Sequence, residues 1–106
     1  MMDKRHLERI LLPRPVIIRS LTLGFSDSNA VLRDISAVGA FCYTIIPLSK
    51  DDGVELFVTL TDLHGTSHLS FTGTVVRVEK GPSDNSLGVG VQFSAFKELD
   101  ADAATA

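Results

Sequence analysis

Apolar side chains occupy every second position in two stretches of this chain. In the first stretch these residues are Val54, Leu56, Val58 and Leu60. In the second, where glycine and glutamine separate them, they are Leu87, Val89, Val91 and Phe93. A period of two places alternate side chains on opposite faces of an extended backbone, so both stretches are predicted to be half-buried β-strands.

Three further stretches are rich in β-branched, aliphatic or aromatic residues, and they are also predicted to be strands. They span residues 16–23, 41–46 and 69–79. The last is long enough to pair with a strand on each side, and Gly73 within it is predicted to form a bulge or bend. Residues 31–33 add a short extended piece.

Turn-forming residues separate these strands. Gly81-Pro82-Ser83-Asp84-Asn85 is the strongest turn signal in the sequence. Ser26–Asn29 is predicted to be a turn after a first strand that ends at Gly24, and residues 34–39 form a polar bend. Residues 47–53 and 62–67 complete the set of connections.

Short strands separated by turns, with almost no helical periodicity, predict an all-β domain. We favour a small antiparallel six-stranded β-barrel over a sandwich, because closure removes exposed strand edges. Residues 10–99 are assigned to the barrel, with a short helical turn at 94–99. Residues 1–9 are predicted to be a flexible arginine-bearing segment and residues 100–106 a disordered tail.

Composition narrows the class of protein. A chain of 106 residues suggests one domain. Its only cysteine, Cys42, lies in an apolar run, which indicates a packed thiol in a reducing compartment, so a cytoplasmic location is expected. Apolar runs such as residues 10–12 and 16–18 are far shorter than the ~20 residues of a membrane helix. Neither a signal peptide nor membrane insertion is therefore expected.

Charge is distributed unevenly along the chain. The formal net charge is −3, yet the first 20 residues carry five basic and two acidic side chains. The remaining residues carry five basic and eleven acidic side chains. An anionic ligand is therefore expected to bind near the N-terminal end.

Two short motifs carry the candidate chemistry: Arg5 with Arg9, and Asp34 with Ser36 and Gly39. The planar fork of arginine matches the adjacent N7 and O6 acceptors of guanine. A carboxylate suits the N–H donors on the opposite edge of the base, and a hydroxyl adds a bond to base or phosphate. Glycine permits close backbone approach or a positive φ, and amides in such bends bind anions. These residues together predict a site for guanine and phosphate.

The motifs Arg5-His6-Leu7-Glu8-Arg9 and Asp34-Ile35-Ser36-Ala37-Val38-Gly39 resemble the R-x-x-x-R and D-x-S-x-x-G motifs of the PilZ domain family. Residues 73–78 and 88–93 resemble the closing strands of that family, so the resemblance runs from about residue 5 to residue 99. Each motif alone is short, but the ordered pair followed by this β pattern is much more specific.

The resemblance implies a role for each motif residue in binding cyclic di-GMP. Arg5 and Arg9 would grip guanine and phosphate oxygens, Asp34 and Ser36 would receive the guanine edge, and Gly39 would shape the loop. Three neighbours are further candidates: Lys4, Ala37 and Ala40. The lysine occupies a position that in some relatives influences ligand number and oligomeric state. Ala40 stands where many relatives have a second glycine.

The function implied by the resemblance is that of a bacterial, non-enzymatic cyclic di-GMP receptor. It would change its conformation or surface on binding and signal to an unidentified protein partner, as a monomer or a ligand-dependent dimer. No cofactor, metal or nucleic acid polymer is expected. A PilZ-like adaptor that binds proteins without nucleotide is the alternative in the same fold. A small nucleic-acid-binding barrel is a third hypothesis. It is disfavoured by the net acidity, the single tyrosine and the lack of tryptophan.

Other chemistry-bearing residues have weaker support. His64 and His68 have the spacing of helix-borne metal ligands, but the Gly-Thr-Ser between them favours a hairpin. Serine, histidine and aspartate are present without a nucleophile elbow, so a hydrolase is not indicated. Arg33 and Arg77 are interpreted as exposed strand arginines that can supplement the charge around a ligand.

Overall fold

The computed structural model describes residues 12–63 and 65–99. Within these residues six antiparallel strands close into a barrel, and no helix is present. The strands are β1 Arg14–Ser20, β2 Ser26–Ile35, β3 Gly39–Thr44, β4 Gly53–Asp62, β5 Gly65–Lys80 and β6 Leu87–Leu99. The predicted six-stranded antiparallel barrel is confirmed. The predicted N-terminal segment 1–9 and tail 100–106 lie outside the described residues.

The barrel consists of two three-stranded meanders. Its strand order is β1-β2-β3-β6-β5-β4, so β1 to β3 form one meander and β4 to β6 the other. Two seams join them, one between β3 and β6 and one between β1 and β4. Residues 45–52 connect the meanders along the chain.

Alternate side chains of each strand fill the barrel interior. Ile18, Leu32, Leu56 and Phe71 are fully buried, whereas Ile17 between the inward residues of β1 is exposed. The predicted alternation of β4 is confirmed for Val54, Leu56 and Val58, which all lie in the core. Burying these side chains is the main stabilising contribution available to a small barrel.

Cys42 lies on β3 and points into this core, as its apolar setting predicts. Burial raises the pKa of its thiol to about 12, and the nearby Asp34 carboxylate acts in the same direction. The thiol is therefore neutral and packed rather than reactive.

The start of β2 differs from the prediction. β1 ends at Ser20, the chain turns through Gly24 at φ +77°, and Ser26–Asn29 is strand rather than turn. Asp27 is 6% exposed and accepts hydrogen bonds from the Thr44 hydroxyl at 2.8 Å and the Ile45 amide at 3.1 Å. Asp27 is thus a buried hydrogen-bond acceptor for the end of β3 and not a turn residue.

The predicted C-terminal helical turn at 94–99 is wrong, because β6 continues to Leu99 along β5. Phe93 pairs with Gly73 and Ala95 with Thr72, so Ser94 is an extra residue in a bulge. This bulge places Phe93 and Phe96 on one side of the strand, where their ring centroids lie 4.5 and 5.2 Å from that of Phe71. The segment predicted as a helical turn is therefore a bulged strand.

The long strand β5 pairs with β4 on one side and β6 on the other, and its pairing with β6 shifts at Gly73, as predicted. The turn predicted at residues 81–85 connects β5 to β6. The described part of the chain contains no helix, and therefore no helix that could cross a membrane.

Candidate ligand-binding site

An open groove of about 660 Å³ crosses the outer face of four neighbouring strands, β2, β3, β6 and β5. Its polar lining is formed by Arg33, Asp34, Ser36 and Arg77. Its remaining lining is formed by Ile35, Gly39, Ala40, Phe41, Val76, Gly90 and Val91. The groove therefore spans the seam between the two meanders.

A bulge in β2 places two charged residues side by side on the groove. Leu32 pairs with Cys42 and Asp34 pairs with Phe41, so Arg33 is an extra residue with no partner position on β3. Successive strand residues normally face opposite sides, but here Arg33 and Asp34 are both exposed while Leu32 is fully buried. The bulge thus directs a guanidinium and a carboxylate to the same face.

A second bulge, in β5, lies on the far side of the groove. Val75 pairs with Val91 and Arg77 pairs with Gly90, which leaves Val76 as the extra residue. Val76 and Arg77 are both exposed and both line the groove. Arg77 also lies near Glu79, with Nε 3.6 Å from Oε2.

Phe41 lies in the middle of the groove, between the two arginines. Its neighbours on β3 are in the barrel core, so its ring is on the outer face, yet it is only 3% exposed. The Arg33 guanidinium carbon is 3.7 Å from the ring centroid and that of Arg77 is 5.0 Å away. Two cations therefore cover one aromatic ring, a cation–π arrangement.

The ring of Phe41 fits there because β6 has glycine at its outward positions. A Cβ on Gly88 would lie 2.7 Å from the Phe41 Cζ, well inside van der Waals contact. At Gly90 a Cβ would lie 3.9 Å from the Phe41 Cδ2, an ordinary contact. Gly88 in particular leaves the space that the ring occupies against β6.

Arg33 is held at several points. Its Nε donates to Asp34 Oδ2 at 3.0 Å and its Nη1 donates to the Tyr43 hydroxyl at 3.3 Å. The bond to Tyr43 and then the bond to Asp34 raise the pKa of the Arg33 guanidinium, so it is charged at any ordinary pH. Its side chain is nevertheless 42% exposed, and Arg33 lines the groove.

The bend from Ser36 to Gly39 closes one end of the groove. The Ser36 amide donates to the Gly39 carbonyl at 2.8 Å, and the Ser36 hydroxyl accepts from the Val38 amide at 3.3 Å. The Phe93 amide on β6 donates to the Val38 carbonyl at 2.8 Å. This bend is consequently fixed to the second meander as well as within itself.

Gly39 is required for close approach rather than for a positive φ, which in the described residues is found at Asp51, Gly24 and Gly65. A Cβ on Gly39 would lie 2.4 Å from the carbonyl oxygen of Val91. Of the two reasons for a glycine given by the sequence, only the first applies.

The structure brings part of the predicted site together. Asp34, Ser36, Gly39 and Ala40 line the groove, whereas Ala37 is exposed in the bend and is not part of its lining. The predicted residues Lys4, Arg5 and Arg9 lie outside the described residues. The second motif is therefore placed on the groove, and the arginines of the first stay a prediction.

The sequence predicts that Arg33 and Arg77 are exposed strand arginines that can supplement the charge around a ligand, and it assigns no role to Phe41. The structure places both arginines on the groove in contact with Phe41. One signal was available, since glycines alternating along a strand leave room for an aromatic ring on the strand beside it.

The described residues contain no group of three or more histidine, cysteine, aspartate or glutamate side chains that could hold a metal ion. His68 instead forms a hydrogen bond through Nδ1 with the Thr59 hydroxyl at 3.2 Å. His64 lies outside the described residues.

A small all-β barrel whose outer face carries a groove lined by two arginines is typical of a ligand-binding module. The family model for the PilZ domain matches residues 3–103, nearly the whole chain, and the protein belongs to the PilZ domain family. PilZ domains are binding and adaptor domains, and the family includes cyclic di-GMP receptors as well as members that do not bind it. The chain has no significant match among curated proteins or among solved structures.

Proposed function

We propose that this protein is a bacterial cyclic di-GMP receptor that presents an altered surface to a protein partner when the ligand binds. The observation that carries the proposal is the groove, which Asp34, Ser36 and Gly39 line together. Ser36 and Gly39 lie in a tight bend at its end. The groove adds two arginines to that motif, which suits a ligand with two phosphates.

The position of β1 supports a site shared with the N-terminal arginines. Arg14, the first residue of β1, pairs with Leu32, two residues before Asp34. β1 therefore begins beside the end of β2 that carries the motif. Arg9 is five residues before Arg14, and an extended chain of five residues spans about 17 Å. This length is compatible with our proposal that Arg5 and Arg9 contribute to the same site.

The chemistry assigned to each side chain follows from its bonding capacity. Arg5 and Arg9 would bond guanine acceptors and phosphate oxygens. Among the described residues no donor bonds to Asp34 Oδ1, so this oxygen is available to the N–H donors of a guanine edge. A ligand held by both motifs would link the N-terminal segment to the barrel, and this link would change the surface that a partner contacts.

Isothermal titration calorimetry with cyclic di-GMP tests the proposal. The wild type is expected to bind with micromolar or tighter affinity. Removing a hydrogen-bonding charge costs about 1.5–3 kcal/mol, so Arg5→Ala and Asp34→Ala are each expected to weaken binding about 10- to 150-fold. Arg19→Ala and Asp84→Ala are matched controls, because both residues are exposed and neither lines the groove.

Absence of binding by the wild type would refute the receptor proposal. Competition by GTP at equal concentration would instead show that the site does not select the cyclic dinucleotide. Equal weakening by the control variants would show a loss of general charge or stability rather than of specific contacts.

A nucleotide-independent adaptor is the second candidate, and one observation favours it. The turn between β1 and β2 exposes three apolar side chains, with Leu21 47%, Leu23 44% and Phe25 60% exposed. Exposed apolar residues that are close in sequence are suited to contact with another protein. The wild-type titration distinguishes the two functions, since an adaptor of this kind would give no heat with cyclic di-GMP.

A further inference from the structure

The guanidinium of Arg33 is a charged plane with one face covered. Phe41 lies against that face, with 3.7 Å between the guanidinium carbon and the ring centroid. Bonds to Asp34 and Tyr43 occupy two of its edges. These three contacts fix the plane while the side chain remains 42% exposed on the groove.

We propose that Arg33 is a stacking platform for a purine base, so that a bound guanine lies on the guanidinium face opposite Phe41. This inference rests on the proposed function and names the part of the ligand that Arg33 would recognise. The base, the guanidinium and the phenyl ring would form three successive layers. Arginine stacks on aromatic planes in this way because its guanidinium is flat, delocalised and weakly hydrated.

The arrangement of the free protein prepares Arg33 for this role in addition to the charge that it contributes. Two of its five N–H groups, on Nε and Nη1, donate to Asp34 and Tyr43, and these bonds fix the guanidinium plane. The plane is therefore ordered before any ligand arrives, which reduces the entropy lost on binding. The bulge also sets Asp34 next to it, so the face and an edge of guanine bases would be recognised by consecutive residues.

Arg33→Lys and Arg33→Ala separate stacking from charge. Lysine keeps the positive charge but has no plane, so a stacking role predicts that it does not rescue binding. A desolvated cation–π contact or a base stack corresponds to about a 5- to 30-fold change in Kd. We expect both variants to bind cyclic di-GMP about tenfold more weakly than the wild type, and within about threefold of each other.

Arg19→Lys and Arg19→Ala are the matched controls. Arg19 is also an exposed strand arginine in an ion pair, here with Glu55, but it lies on β1 away from the groove. Both controls are expected to bind within about twofold of the wild type. Thermal unfolding of all four variants checks that the barrel is intact.

A direct readout is an intermolecular nuclear Overhauser effect between guanine H8 and the side-chain protons of Arg33, together with a shift of the Arg33 Nε–Hε signal. If Arg33→Lys binds as tightly as the wild type, the stacking role is overturned while the receptor function stands. Binding by Arg33→Ala with wild-type affinity would likewise overturn the stacking role and leave the receptor function standing. If the wild type itself does not bind cyclic di-GMP, the proposed function and this inference are both overturned.

Discussion

Replacing Gly39 with alanine is expected to damage the barrel itself rather than only the loop that it shapes. The added Cβ would lie 2.4 Å from the Val91 carbonyl oxygen and 3.5 Å from the Val91 carbonyl carbon. The obstacle is backbone, so no side-chain rotation relieves it. Strands β3 and β6 would have to separate locally by about 1 Å, the difference from an ordinary carbon–oxygen contact of roughly 3.4 Å.

The cost of Gly39→Ala has two parts. Forcing a methyl group into a packed position costs about 1–3 kcal/mol. The separation also weakens the bond from the Phe93 amide to the Val38 carbonyl, which contributes about 0.5–1.5 kcal/mol. We therefore expect a loss of about 3 kcal/mol in the free energy of unfolding, a large share of the stability of a domain of this size.

Urea unfolding followed by circular dichroism measures this loss. With an m-value of about 1.5 kcal/mol/M, the midpoint is expected to fall by about 2 M. Gly90→Ala is the matched control on the other strand of the same seam, because its Cβ would lie 3.4 Å from the Arg77 Cβ and 3.9 Å from Phe41. It is expected to change stability by no more than about 0.5 kcal/mol. Equal midpoints for the two variants would refute the steric argument.

Three further substitutions test the interior of the barrel. Asp27→Asn removes an acceptor of bonds from Thr44 and Ile45 and is expected to cost about 1–3 kcal/mol in urea unfolding. Although burial alone would raise the pKa of Asp27, these two bonds and one from the Asn29 amide at 2.9 Å leave it below its ordinary 3.8. The stabilising effect of the carboxylate is therefore present above pH 3.8 and lost as the pH falls through the lowered folded pKa, and an equally steep acid loss in the Asn variant would contradict this. Burial raises the pKa of the Cys42 thiol from 9.0 to about 12. The contribution of the neutral thiol to the free energy of unfolding is therefore complete below pH 9 and lost as the pH rises toward 12. The stability difference between the wild type and Cys42→Ala should shrink by about 2 kcal/mol between pH 8 and pH 10.5, and a constant difference would exclude a buried neutral thiol. Phe71→Ala empties the fully buried position beneath Phe93 and Phe96 and is expected to cost about 3–5 kcal/mol by urea midpoint; a cost below 1 kcal/mol would mean that the ring is not packed as described.

The barrel was predictable because its strands carry the alternation of apolar and other residues that is typical of half-buried β-strands. The alternation in β4 and β6 and the turn at residues 81–85 all correspond to observed elements. The two errors have a common cause, since each concerns a residue whose partner is distant in sequence. Asp27 accepts a hydrogen bond from Thr44 on β3. The position of Phe96 depends on a bulge and on its contact with Phe71. Local pattern does not contain either partner.

The candidate site was only partly predictable for a related reason. Asp34, Ser36 and Gly39 form a local motif, and the sequence alone suffices to single them out. Arg33 and Arg77 reach the groove because each lies at a bulge, and bulges depend on the register between strands. That register appears only when the strands pair, so sequence alone predicts that their charge can supplement a ligand site but not that they lie against Phe41.

The composition of the barrel from two meanders suggests a use as a split sensor. A cut within residues 45–52 would give two three-stranded halves, one with Asp34 and Phe41 and the other with Arg77 and Gly90. Neither half contains a complete groove. A small molecule that binds the assembled groove would favour association of the halves by mass action. Fusing the halves to the fragments of a reporter enzyme would convert occupancy of the groove into a measurable signal in living cells.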